Sequence, residues 1–265
     1  MVGCEQGCDR VEGDESATGA RFQSRVFQRR LDELVPIPVP GTEGASQARY
    51  SRDGETIVFR AQGEVRAVPR SGGSVVTLYD RLNFGVTIDD DGTAVVAGLP
   101  GEGLMTLAGP GAIPEPLTVA DSDEFHMEPR ILPGGVGVLS NESGRSEVYV
   151  RPFPDIASGR ILVSTGGGSF PVWSADGGEL FYSGPDGMTV VSVETQPTFV
   201  PGAPRVLFDA SSFATASLGV PLFDVSADGQ RFLMLRPESD GDDRREEIVV
   251  VQNWLQELGR LVPVR

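Results

Sequence analysis

A single histidine, His126, limits the proton-transfer chemistry open to this 265-residue chain. Any Ser-His-Asp arrangement has to run through that imidazole. No Gly-x-Ser-x-Gly elbow presents a nucleophile, and Gly168-Ser169-Phe170 breaks the pattern. Asp121, Asp123, Glu124 and Glu128 lie near His126 in sequence and could join it around a divalent cation. Three readings of His126 therefore stand side by side: catalytic base, metal ligand, or polar residue on a loop between sheets. The third is adopted, because one imidazole without a nucleophile motif or further ligands supports little chemistry.

The other chemically suggestive residues resolve the same way. Asp89-Asp90-Asp91 could hold a cation, but Asp91-Gly92 is a hairpin turn whose neighbours are solvated. Gly101-Glu102-Gly103 and Gly166-Gly167-Gly168 open no helix, so neither cradles a phosphate. Asn141-Glu142-Ser143 fits a glycosylation acceptor and is read as coincidence. Residues 237–247 crowd carboxylates without EF-hand spacing and read as a solvated hairpin loop. Cys4 and Cys8 are the only cysteines; no later sulfur ligand completes a metal site, so they read as inert thiols. All 22 basic residues are arginine, which excludes a Walker-type lysine, a kinase ATP-binding lysine and a Schiff base. No metal, cofactor or catalytic residue is expected, and the chain is expected not to be an enzyme.

Formal charge of −16 and a pI near 4.4 argue against a grip on nucleic-acid phosphates. No apolar run approaches the roughly 18 residues a membrane helix needs, so no membrane segment is expected and the chain reads as soluble. Residues 1–19 are acidic and lack an apolar segment, so no signal peptide is expected.

The elements that must position these residues come from one recurring stretch, Val172-Trp173-Ser174-Ala175-Asp176-Gly177-Gly178-Glu179-Leu180-Phe181-Tyr182. Its unit is an apolar residue, Ser, a free position, Asp-Gly, then a run of β-formers. Glycine takes the positive φ of a tight hairpin turn without a Cβ clash. The unit returns at Tyr50–Gly54, Val225–Gly229 and, more loosely, at Ile88–Gly92 and Arg130–Gly135. The turn glycines at 54, 92, 134 or 135, 177 and 229 recur at roughly forty residues, widening to about fifty at the last step. Each unit accommodates four short antiparallel strands, which is one propeller blade. A lone sheet of this size cannot bury both faces, so neighbours must stack.

The expected fold is all-β: a β-propeller of four-stranded antiparallel blades, about six in number, the first incomplete. A disordered lead-in covers 1–20 and one propeller domain covers 21–265. Its part-blade is 21–41, and its blades are 42–80, 81–119, 120–165, 166–209 and 210–255. A short helix over 253–260, with Trp254, Leu255 and Leu258 on one face, is expected to plug against the last blade.

These repeats resemble the WD40-like, TolB-like (PD40) propeller over roughly residues 25–260. More narrowly, the chain resembles the C-terminal propeller of bacterial serine/threonine protein kinases. The carrying stretches are Leu34–Gly44, Ser140–Pro154, Ser164–Tyr182, and Val225–Met234 with Asn253–Leu258. The resemblance implies a six-bladed sensor or protein-interaction platform joined to another domain. In the kinase relatives a membrane helix separates a cytoplasmic kinase from an extracytoplasmic propeller; this sequence contains neither kinase nor helix. Peptidase relatives with a similar propeller keep their nucleophile on a separate domain. The departures are an absent first hairpin and Phe170, where relatives more often place a polar residue before Pro171.

Propellers bind at one face around the central channel, through loops entering the inner strand and loops joining the second and third strands. On this register those loops carry Arg49, Asn83, Phe84, His126, Glu128, Asn141, Arg145 and Phe170. The expected function is a non-catalytic interaction or ligand-sensing module, a sensor propeller or a fragment of one, taking a protein or small molecule on that face. The expected state is a monomer without nucleic-acid partners. Its compartment is left open, extracytoplasmic or periplasmic if it follows the relatives. The rival is a propeller-loop enzyme such as a metal-assisted hydrolase or lyase.

Overall fold

Ser174 shows how the repeated unit builds a blade. Its Oγ donates to Asp176 Oδ1 (2.7 Å) and accepts the N–H of Glu179 (2.9 Å). Asp176 Oδ1 accepts the N–H of Gly178 (3.0 Å), and the N–H of Gly177 reaches the Ser174 carbonyl (3.0 Å). The side chains thus satisfy the backbone groups that a reversing chain leaves orphaned. Ser51 accepts the Thr56 N–H (2.9 Å) and Ser226 accepts the Arg231 N–H (3.0 Å) in the same manner. Gly54, Gly177 and Gly229 take φ of 76°, 72° and 67° at these turns, where a Cβ would be strained.

The computed structural model describes residues 8–11, 24–30, 35–237 and 246–251, apart from 52, 82, 133–134, 155, 157–158, 197, 214–215, 218–219, 222 and 227–228. The described residues form strands and turns without an α-helix. The expected helix over 253–260 and most of the charged loop over 237–247 lie outside the described residues.

The leading sheet contains β1 (Cys8–Val11), β2 (Val26–Gln28) and β3 (Ile37–Pro38). Residues 8–11 fall in the stretch expected to be a disordered lead-in; instead they pair antiparallel with β2, Val11 opposite Val26. The second sheet is β4 (Ala45–Tyr50), β5 (Thr56–Ala61), β6 (Glu64–Pro69) and β7 (Val76–Tyr79). The third is β8 (Val86–Ile88), β9 (Ala94–Ala97), β10 (Leu104–Leu107) and β11 (Glu115–Pro116). The fourth is β12 (His126–Leu132), β13 (Gly135–Ser140), β14 (Glu147–Arg151) and β15 (Ile161–Leu162). In the fifth, β16 (Ser169–Trp173), β17 (Glu179–Gly184) and β18 (Gly187–Glu194) run in order, and both β19 (Val200–Pro201) and β20 (Arg205–Phe208) pair with β18. After a ribbon of β21 (Ala216–Ser217) and β22 (Val220–Pro221) comes the sixth sheet, β23 (Phe223–Val225), β24 (Phe232–Pro237) and β25 (Glu246–Val251). Pairing within every sheet is antiparallel.

Because the second to fifth sheets are each covered on both sides, their strands carry apolar residues on both faces. Val26 and Val39 pack with Phe59 and Val68 between the first two sheets. Val58 and Leu78 meet Val86 and Val96 across the next seam, and Val95 and Leu104 meet Val138 and Tyr149 across the third. Val148 and Val150 meet Trp173 and Leu180, then Phe181 and Met188 meet Phe223 and Phe232. The Phe181 and Phe232 rings are edge-to-face at 5.4 Å, a favourable arrangement of their quadrupoles. The result is an all-β propeller whose leading sheet has three strands among the described residues.

Candidate functional site

The inner strands share a defect that shapes the ring axis. Pairing slips between Ser46 and Arg49 in β4, between Met127 and Arg130 in β12, and between Ser169 and Val172 in β16. Each slip is a β-bulge, and each holds a non-glycine residue at positive φ: Gln47 at 53°, Glu128 at 51° and Phe170 at 56°. Aligned on the turn glycines, the matching position before β8 is Gly85. A Cβ there would meet the Glu128 nitrogen at 3.0 Å, because the Glu128 N–H runs to the Phe84 carbonyl (3.3 Å).

The bulges bring charged side chains from alternate blades together. Arg49, on the second sheet, forms an ion pair with Glu128 of the fourth, and the two side chains are 12% and 2% exposed. Arg60 Nη1 donates to Gln47 Oε1 (2.7 Å) in the second sheet, and the charges of Arg60 and Glu128 act on one another. Asp224 of the sixth sheet occupies the register position of Arg49, five residues before its turn glycine. Burial pushes its carboxyl up to about 6, opposed by the Val225 N–H and the charge of Arg49. Because Arg49 of the second sheet reaches Glu128 of the fourth past the third, the row of blades curves round an axis. Burial also raises the Glu128 carboxyl, against the pull of Arg49 and Arg60. Two polar atoms in this group, Glu128 Oε1 and Arg60 Nε, are buried without a hydrogen-bond partner.

Of the loop residues picked from sequence, the structure brings Arg49 and Glu128 together at the axis. Phe84 lends its carbonyl to Glu128 and leaves its ring exposed. Asn83 is a buried loop fastener, donating to the Arg81 carbonyl (3.2 Å) and accepting the Gly85 N–H (3.4 Å). Asn141 clamps another loop through the Phe125 N–H (2.8 Å) and the Asp123 carbonyl (3.0 Å). Phe170 lies in the seam between the fifth and sixth sheets, and Arg145 bonds Glu147 (2.7 Å). Gly166 and Gly167 do wrap an anion, but it is the chain's own Glu147 carboxylate.

His126 is buried at the seam between the third and fourth sheets, with Nδ1 2.7 Å from Thr118 Oγ1. Burial, reinforced by Arg151 and Arg160, lowers its pKa to about 4 against the pull of Glu124, so the ring is neutral at pH 7. Among the described residues no group of three or more His, Cys, Asp or Glu side chains is arranged to hold a metal ion.

Sequence reading missed Gln47, Arg60 and Asp224. Gln47 and Asp224 were within reach of the repeat register, since they align with Glu128 and Arg49. Arg60 had no such signal, because it reaches the axis group from the far end of β5. Chemically, the group offers two guanidinium ions, two carboxyls with raised pKa and a carboxamide, a set suited to hydrogen-bonding a polar group and, through Asp224, to exchanging a proton near neutrality.

No protein-family model matches the sequence, and no curated protein matches it. Solved structures do match by shape. TolB from Acinetobacter baumannii aligns with a TM-score of 0.64 at 14% identity, covering 88% of this chain and 57% of that chain. The chain thus spans little more than half of that protein's length. An oligogalacturonate lyase in complex with manganese aligns at 0.56 and 9% identity, covering 87% and 83%. A luciferin-regenerating enzyme aligns at 0.52 and 14%, covering 78% and 76%. At these identities the likeness concerns the fold, which is a TolB-like β-propeller. The expectation that the chain is not an enzyme is overturned on this ground: the same ring of blades carries a lyase and a luciferin-regenerating enzyme. A missing nucleophile elbow and a single histidine therefore exclude no activity for this fold. Among the described residues no helix is long and apolar enough to cross a membrane.

Proposed function

We propose that this propeller is a binding module that takes a polar ligand, or a polar side chain of a protein partner, at the mouth of its axis. The observation that carries the reading is the buried ion pair of Arg49 and Glu128 from the second and fourth sheets, with the Asp224 carboxyl of the sixth feeling the charge of Arg49. Packing alone does not call for charges there; buried ion pairs add little net stability over apolar residues of the same volume. Charges held at the convergence of otherwise apolar blades are suited to recognition. The stretches that resemble kinase-associated propellers support a finer version, a sensor propeller working outside the cytoplasm for a kinase-type protein.

A second reading is favoured by one specific residue. Asp224, with a carboxyl near 6 that feels the charge of Arg49, is suited to general acid–base catalysis in a lyase or hydrolase. Soaking crystals of the wild type, R49Q and D224A with a fragment library separates the outcomes. Polar fragments gathered at the axis in the wild type and lost in both variants support the binding site. Fragments distributed elsewhere, or unaffected by the variants, overturn it. Bond cleavage in a screened ester, lactone or uronide, abolished by D224A with binding intact, moves the assignment to the enzyme.

A further inference from the structure

The axis group is incomplete in its hydrogen bonds. The guanidinium groups of Arg49 and Arg60 act on the Glu128 carboxyl, and Arg49 acts on that of Asp224. Arg49 is bonded to Glu128 Oε2, and Arg60 Nη1 is bonded to Gln47 Oε1. Two buried atoms remain without a partner, the acceptor Glu128 Oε1 and the donor Arg60 Nε. A buried donor or acceptor left alone forfeits its hydration without recompense, which is why native proteins leave few of them. An ammonium, which only donates, or a carboxylate, which only accepts, would satisfy at most one of the pair. An uncharged group that both donates and accepts satisfies both.

Resting on the axis being the binding site, we propose that its floor receives an uncharged hydroxyl or carboxamide group of the ligand, which donates to Glu128 Oε1 and accepts from Arg60 Nε. Neither atom meets solvent as the side chains now stand, so the group enters only when a side chain moves. Arg49 is the cover: it keeps 12% exposure over a Glu128 that keeps 2%, and it can turn toward Asp224, whose carboxyl already feels its charge. Gln47, Glu128 and Arg60 form the floor; Arg49 and Asp224 form the lid.

Four probes of similar size test the assignment: propionamide and propan-1-ol against propionate and propylammonium, each titrated into isotope-labelled full-length protein and followed by NMR. The neutral pair is expected to give saturable shifts at Glu128 and Arg60, with the charged pair binding at least about tenfold more weakly. R60K keeps the charge but removes Nε, and E128Q replaces the free acceptor; each is expected to weaken the neutral probes by about tenfold. Unchanged dispersed spectra in the variants establish that they fold. Equal or tighter binding of a charged probe overturns the proposal, as does neutral binding indifferent to both variants. A water molecule alone bridging the two atoms, displaced by no probe, also overturns it. Fragments held at Arg49 and Asp224 without reaching the floor would defeat this inference and leave the binding site standing.

Discussion

Thr118 Oγ1 lies 2.7 Å from His126 Nδ1 across the seam between the third and fourth sheets, and the same hydroxyl accepts the Leu104 N–H at 2.8 Å. The contact ties the lone histidine to the edge of the neighbouring blade rather than to the axis. A hydroxyl in this place recurs: Ser164 accepts the Val148 N–H (2.8 Å) and Thr42 accepts the Val26 N–H (3.0 Å). The histidine is thus an addition to a repeated strand fastener.

His126 should make the fold sensitive to acid. Its pKa falls from 6.5 to about 4 on folding, mainly through burial. The unfolded chain therefore binds a proton that the folded chain refuses. Stability from this residue is complete above pH 6.5 and is lost as pH falls toward 4, by about 3 kcal/mol in all. Urea denaturation of wild type and H126Q at pH 7.5 and pH 4.5 checks this. The wild type is expected to lose more stability than the variant over that interval, and parallel losses would count against it.

Asp224 works with the opposite sign. Its carboxyl rises from 3.8 to about 6, so the folded chain holds a proton that the unfolded chain has released. Its favourable share is present below 3.8 and disappears as pH rises through 6, by about 3 kcal/mol. Asn keeps the acceptor for the Val225 N–H and removes the charge. D224N is therefore expected to be more stable than wild type at pH 8 and no more stable at pH 4, by urea midpoints at both.

How much of this was written in the chain differs between blade and site. The Ser-x-Asp-Gly units were legible because their signal is local. Ser174, Asp176 and Glu179 all hydrogen-bond within five residues of one another, and Gly177 needs its positive φ whatever surrounds it. The axis was only half legible. Arg49 and Glu128 stood out as polar residues on loop-facing positions, but their partnership spans 79 residues and depends on how the blades fan. Phe170 sits at the register position of Glu128, yet it turns into the apolar seam with Phe181 and Phe223. Position within a repeat fixes the backbone, and the neighbouring blade decides where the side chain goes.

Ser174 offers a test of the local part. Its Oγ both donates to Asp176 and accepts the Glu179 N–H, so alanine leaves a strand-end amide without its partner. S174A is expected to cost about 1–2 kcal/mol, the loss of a part-buried hydrogen-bonded hydroxyl. S51A, which removes the same lock from the second sheet, is expected to cost a similar amount, and the double variant to show additive losses because the turns share no partners. Thermal and urea unfolding of the three variants decides it; a neutral S174A would mean that the turn is held by Gly177 and the strand pairing alone.

The Arg49–Glu128 pair offers the test of the long-range part. R49A leaves a carboxylate that is 2% exposed facing only the more distant charge of Arg60, and removing one partner of a buried pair costs about 3–5 kcal/mol. E128A strands two guanidinium ions instead, but Arg49 can turn toward Asp224, so its loss should be smaller. R49M/E128L removes both charges and fills the space with apolar atoms; it should recover most of the stability lost in R49A. The cycle R49A, E128A, R49A/E128A measures the coupling directly, and more than about 1 kcal/mol is expected for residues in contact. Additive single losses would mean that the two side chains do not act on one another, and the fourth blade would then be tied at the axis to the third, by backbone contacts such as Glu128 N–H to Phe84 O.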